Sequence, residues 1–299
     1  MKKVSFMIVA LMGMLVAGCN QSDEQFENAK AEGQAPVTVH ATGFSVSQEE
    51  FSGARTRAAQ DVADYDGVNA VTLAFYKADG TEVEKITQLR SDGSTYTTFG
   101  EFSLSLPMGT YTMVALAYYT NEYSVLTLTS PTEATFNVRA KETFAYTQPV
   151  TISNTNAVDI SATLNRIVSM LTVKSSDGKT ADVTNVRMTF SVGDKDFNPT
   201  TGFALTNTGF ANTVSNSASV GATSTSSTVL FLNSDEQNID VTIETLDADG
   251  AVLFSKTVNN VPFQRNRVTK LTGAMYTNEA LSGTFKVETA WLDDYNANF

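Results

Sequence analysis

The feature that most constrains this chain is a two-residue hydrophobic period that recurs along much of its length. Phe102, Leu104 and Leu106 alternate with Ser103 and Ser105. Ile239, Val241 and Ile243 alternate with Asp240, Thr242 and Glu244. Near the end, Phe285, Val287 and Trp291 face one way, and Lys286 and Glu288 the other. Side chains on a strand point alternately to its two faces, so this pattern describes strands with one face buried. Val71, Leu73 and Phe75 continue it. Asp79-Gly80, Asp177-Gly178 and Asp249-Gly250 each follow such a run, and the spacing predicts tight hairpin turns there. No stretch combines a sustained helical period with caps at both ends. Many short strands at close spacing predict an all-β chain of sandwiches or barrels.

The N-terminal residues carry a different pattern. Lys2 and Lys3 precede an apolar run from Val4 to Val16, then Ala17, Gly18 and Cys19, the only cysteine. Charged, apolar and small-residue segments in that order read as a secretory signal, too short to serve comfortably as a membrane-spanning helix. Leu15-Val16-Ala17-Gly18-Cys19 also resembles the bacterial lipobox, which implies acylation of the Cys19 thiol and cleavage before it. Residues 1–18 are therefore expected to be a lipoprotein signal peptide. Residues 19–35, polar and small, are expected to be a flexible tether. Turn-forming residues at Gln148-Pro149 and Ser153-Asn154-Thr155-Asn156 place a boundary near 148–156. This predicts one β-sandwich over 36–152 and a second over 153–299. Residues 206–228 are rich in Thr, Asn, Ser and Gly and read as a mobile surface loop in preference to an ordered binding element.

Charge and chemistry narrow the function classes. The formal net charge is −12, from 20 basic and 32 acidic residues, which argues against nucleic acid or anionic lipid as a partner. A single cysteine allows no intrachain disulfide, so stability must come from packing. The one histidine, His40, lies in a strand-like run from Val37 to Val46 with no second imidazole or thiolate nearby, and reads as a surface residue. No Gly-x-Ser-x-Gly turn, phosphate loop or calcium loop is present. The acid pairs Glu49-Glu50 and Asp293-Asp294 read as solvated surface. The reading is a non-enzymatic protein with no cofactor and no metal. Tyr118, Tyr119 and Tyr123 cluster near a strand end and suit either a binding surface or a core. For Trp291, on the same face as Phe285 and Val287, core packing is favoured.

Four stretches together resemble the fimbrillin-type pilus subunits and fimbrial anchor lipoproteins of anaerobic Gram-negative bacteria. They are the lipobox with its acidic tether, including Asp23 and Glu24, and the neighbourhood of Arg55-Thr56-Arg57-Ala58 ahead of the strand Val68–Tyr76. The other two are Leu164-Asn165-Arg166-Ile167-Val168-Ser169-Met170-Leu171, and Arg267-Val268-Thr269-Lys270-Leu271-Thr272-Gly273-Ala274-Met275-Tyr276. The resemblance implies two tandem transthyretin-like Greek-key β-sandwich domains, export to the outer membrane by a lipid on Cys19, and other pilus subunits as partners, with a host or bacterial surface receptor beyond them. It also implies removal of the first strand by an arginine-specific protease in polymerising members. Arg55 and Arg57 are the matching positions; the alternative is a solvated loop. The freed groove would accept a strand from a neighbour. The strand carrying Phe285, Val287 and Trp291 is the candidate donor, or else an ordinary last strand. A different reading is a surface glycan-binding lipoprotein of a polysaccharide-uptake system.

Overall fold

The computed structural model describes residues 33–44, 61–277 and 285–291, with only the backbone for 288–291. Strands β1 to β9 are Gln34–Phe44, Ala70–Tyr76, Glu82–Leu89, Glu101–Pro107, Gly109–Tyr118, Leu126–Ser130, Glu133–Phe136, Thr143–Ile152 and Val158–Arg166. Strands β10 to β19 are Ser169–Ser175, Asn185–Phe190, Phe197–Asn198, Phe203–Ala204, Phe210–Ser215, Thr225–Leu230, Glu236–Leu246, Val252–Gln264, Arg267–Gly273 and Lys286–Trp291. Among the described residues, helix is confined to two three-residue turns, Val62–Asp64 and Arg90–Asp92. The chain is all-β.

The first sheet has seven strands in the order β3-β2-β5-β8-β9-β1-β4. β8 and β9 pair only through Phe144 with Arg166 and Ala145 with Asn165, so the sheet folds over at that seam. Leu73 and Phe75 of β2 and Met113 of β5 then pack with Val37 and Val39 of β1, Phe102 of β4 and Ile160 of β9 in one core. The outcome is a sandwich made from a single folded sheet. The sequence reads Gln148-Pro149 as a turn, but both lie in β8, with Pro149 opposite Thr112 of β5. Proline is tolerated there because β8 has lost its second neighbour by that point, so no partner needs the missing N–H. β9 lies beyond the expected boundary at 148–156 and still belongs to this first sheet.

The second half packs two four-stranded sheets, β15-β10-β18-β19 and β14-β11-β16-β17. Leu171, Val173, Leu230 and Leu271 of one meet Val186, Met188, Ile239, Val241 and Phe263 of the other. Asp249-Gly250 makes the predicted hairpin turn between β16 and β17, and Asp79-Gly80 that between β2 and β3; each glycine sits at φ +83°. Asp177-Gly178 does not make a hairpin. β10 runs on to β11 in the opposite sheet. The Asp177 carboxylate instead accepts the N–H groups of Met275, Tyr276 and Thr277 at 2.8, 2.8 and 2.9 Å. Gly178 is required by close approach, since a Cβ there would lie 2.5 Å from the Gly221 carbonyl oxygen. Residues 206–228, read as a mobile loop, contain β14 and the first four residues of β15. Their inward positions include Asn212, Ser226 and Thr228, which are buried but polar. Asn212 donates to the Thr228 hydroxyl, which allows a polar sequence to occupy core-facing sites.

A third apolar core joins the halves. The outer faces of β2 and β5 (Ala74, Tyr76, Val114, Leu116) pack with Leu128, Phe136, Phe197, Phe231 and Val268. Phe197 and Phe231 stack at 4.3 Å between centroids. A small sheet, β13-β12-β7-β6, draws strands from both halves. β2 is consequently buried on both faces along all seven residues.

Candidate functional site

β1 is the most unusual strand in its sheet. It is the first described strand yet lies inside the sheet, antiparallel to β4 and parallel to β9. Val37, Val39 and Ala41 are no more than 1% exposed. Pro36 lies one residue before the pairing with β9 begins at Val37, which leaves its missing N–H without consequence. On the outer face, His40 Nδ1 is 3.1 Å from Glu101 of β4, and its Nε2 is 3.1 Å from Asp159 of β9. The histidine read as a plain surface residue is therefore half-buried and bridges β1 to both neighbours. Phe44 closes the strand against Phe144 at 4.1 Å and Tyr65 at 5.5 Å.

The chain leaves β1 at Phe44 and returns at Asp61, which bridges back to Gly43. Both ends of the 45–60 segment thus emerge beside each other. Arg55 and Arg57 fall within that segment, outside the described residues, as do Cys19 and the 1–32 region. The returning chain is clamped by Arg90, whose guanidinium donates to the carbonyls of Val62, Ala63, Tyr65 and Val68 and lies 4.8 Å over the Phe99 ring. Next to it, the Tyr65 hydroxyl donates to Glu142 at 2.7 Å, and Glu142 pairs with Arg166 Nε at 2.8 Å. Burial, reinforced by the Glu142 charge, pushes the Tyr65 hydroxyl well above the usual phenol range. Arg166, within the Leu164–Leu171 stretch of the resemblance, ends β9 and reaches Asn266 at 3.0 Å. Sequence inspection gave no sign of Arg90 or of the Tyr65-Glu142-Arg166 chain, because the partners lie 22 to 101 residues apart.

β19 contrasts with β1. Among the described residues it is the outer strand of its sheet and pairs antiparallel with β18 alone, Val287 opposite Leu271 and Trp291 opposite Arg267. Phe285 is half-buried against the second core, and Val287 is 37% exposed. The Trp291 side chain lies outside the described atoms.

The tyrosine cluster divides. Tyr118 is buried in the third core, and its hydroxyl is 3.1 Å from that of Thr72. Tyr119 is half-buried, 5.5 Å beneath the Lys141 ammonium. Burial, with the Arg139 charge nearby, brings Lys141 down to about 8. Tyr123 is 67% exposed. Tyr119 and Tyr123 line one wall of a groove of about 550 Å³, and β14 and β15 line the other. Among the described residues, no three His, Cys, Asp or Glu side chains converge as metal ligands would.

No curated protein matches the sequence. Among solved structures, a candidate adhesin from Bacteroides ovatus is 13% identical, with a TM-score of 0.49 over 83% of this chain and 88% of that one. The fimbrial anchor protein Mfa2 from Porphyromonas gingivalis is 11% identical, with a TM-score of 0.48 over 86% of this chain and 98% of its own. The tip fimbrial protein Mfa3 from the same organism is 14% identical, with a TM-score of 0.40 over 86% and 99%. Likeness at this level carries no argument about function. The family model DUF6562, described as a family of unknown function, matches residues 34–298, and the chain belongs to that family.

Proposed function

We propose that this chain is a non-enzymatic, cell-surface fimbrial subunit, exported as a precursor acylated on Cys19 and assembled by strand exchange after cleavage near Arg55 or Arg57. The observation that carries this reading is the seat of β1. The strand is paired on both sides, and the rest of the described chain follows it only through 45–60, whose ends meet at Gly43 and Asp61. A cut in that segment removes the covalent hold on β1. Loss of β1 bares a stripe that includes Phe102, Leu104 and Ile160 and leaves unpaired backbone groups on β4 and β9. An extended strand from another subunit satisfies both needs at once. β19, which has one neighbour, is the donor that fits this scheme; other subunits are then the partners, at the outer membrane surface.

Limited digestion with an arginine-specific protease tests the reading. The expected result is a single early cut giving a new N-terminus at Thr56 or Ala58, followed by a ladder of polymers. A chain that is cut there and stays monomeric under assembly conditions overturns strand exchange. In the alternative, a surface glycan-binding lipoprotein, β1 and the lipid on Cys19 are retained; the groove beside Tyr123 favours that reading.

A further inference from the structure

The groove has two walls of different chemistry. One wall is the neighbouring edges of β14 and β15, each the outer strand of its own sheet. Just before β15 the Ser224 carbonyl accepts from Ser175 on the β10 side, and just after it Phe231 exchanges two bonds with Asp194 on the other side. Backbone direction alternates along a strand, so Thr225, Ser227 and Val229 turn their N–H and C=O groups away from β10 and toward the groove. The side chains beside them are uncharged: Thr213 and Ser215 from β14, Thr225 and Ser227 from β15. The buried Asn212–Thr228 hydrogen bond closes the mouth of the sandwich behind this wall. The facing wall carries the exposed ring of Tyr123, the 59%-exposed Val138, and Tyr119 under the Lys141 ammonium.

We infer that this groove binds a saccharide chain. A sugar ring has an apolar C–H face and a rim of hydroxyl groups. The Tyr123 ring offers the flat apolar surface for the first, and the hydroxyl- and backbone-rich edges offer donors and acceptors for the second. The volume of about 550 Å³ suits a short segment of such a chain. An extended peptide fits less well. Strand addition needs a run of open backbone with apolar sockets for alternate side chains. Here the Asp194 bridge ends the open run at Phe231, and among the described residues Val214 and Val229 are the only apolar side chains that β14 and β15 give to the groove. The inference rests on the glycan-binding reading, for which it locates the ligand site, and it depends neither on strand exchange nor on loss of β1.

The test uses the full chain from residue 19 with β1 retained, titrated by calorimetry with cellohexaose, xylohexaose, mannohexaose and hexagalacturonate. The expected result is saturable binding of at least one hexasaccharide. Tyr123→Ala should weaken it about tenfold, while Tyr123→Phe keeps it, because the ring face and not the hydroxyl makes the contact. Thr213→Ala should weaken it by a smaller factor. Tyr123 and Thr213 are exposed, so the thermal midpoints of all three variants should match that of the parent. Binding of none of the four, or binding that Tyr123→Ala leaves unchanged, overturns the inference. Neither result bears on protease cutting or polymer formation, which are read separately.

Discussion

β1 and β19 are the first and last described strands, and both alternate apolar with polar residues, but they occupy opposite situations. β1 has two neighbours and an inward face that is almost wholly buried. β19 has one neighbour and leaves Val287 37% exposed. Alternation reports only that one face is apolar. It does not report how many strands flank the segment or how deep the face lies. That difference seats one strand between two partners and leaves the other at the described edge of its sheet.

Substitutions that break the comparison should differ sharply in effect. Val39→Asp places a carboxylate at a fully buried point of β1 and should cost about 4 kcal/mol or more, enough to displace the strand. Urea unfolding would show it, and a loss under about 1 kcal/mol contradicts the described seat. Arg90→Met removes a guanidinium from four carbonyls beneath the returning chain and should cost about 3 kcal/mol. Protease sensitivity should rise at 61–68 before the second sandwich is attacked. Asp177→Asn should cost about 1 kcal/mol, since the amide keeps one acceptor oxygen for the N–H groups of 275–277.

Asp177 also carries a pH dependence. Burial opposes its charge, but the backbone N–H groups of Met275, Tyr276 and Thr277 outweigh that and hold the carboxyl below its ordinary value. Its contribution is therefore present above the unfolded carboxylate range and disappears as pH falls through the lower folded value. Asp177→Asn should flatten that part of the acid limb of stability against pH. The smallest effect is expected at β19: Val287→Asp should change stability by no more than about 0.5 kcal/mol. A large loss there contradicts the edge position.

Much of the fold was legible because one-sided burial writes a plain period into sequence. Phe102, Leu104 and Leu106 are 2, 8 and 0% exposed, and Ile239, Val241 and Ile243 are all at 0%. The period was half-informative for β2. Leu73 and Phe75 face the first core as expected, but Ala70, Thr72 and Ala74 on the other face are small enough to look solvent-facing and are buried in the third core. β14 and β15 were hidden because Asn212, Ser226 and Thr228 hold inward positions by hydrogen bonding instead of apolar burial. Asp177-Gly178 misled because a dipeptide cannot show a partner 98 residues away. The groove draws on segments near residues 66, 119, 139, 213 and 226; in sequence its tyrosines drew notice, and the 206–228 stretch did so as a mobile loop in preference to a binding element.

The most direct test is mass spectrometry of the N-terminus of subunits in assembled filaments from native cells. Detachment of β1 predicts a chain starting at Thr56 or Ala58, with β1 and acylated Cys19 gone. Filament subunits that still begin at acylated Cys19 contradict it.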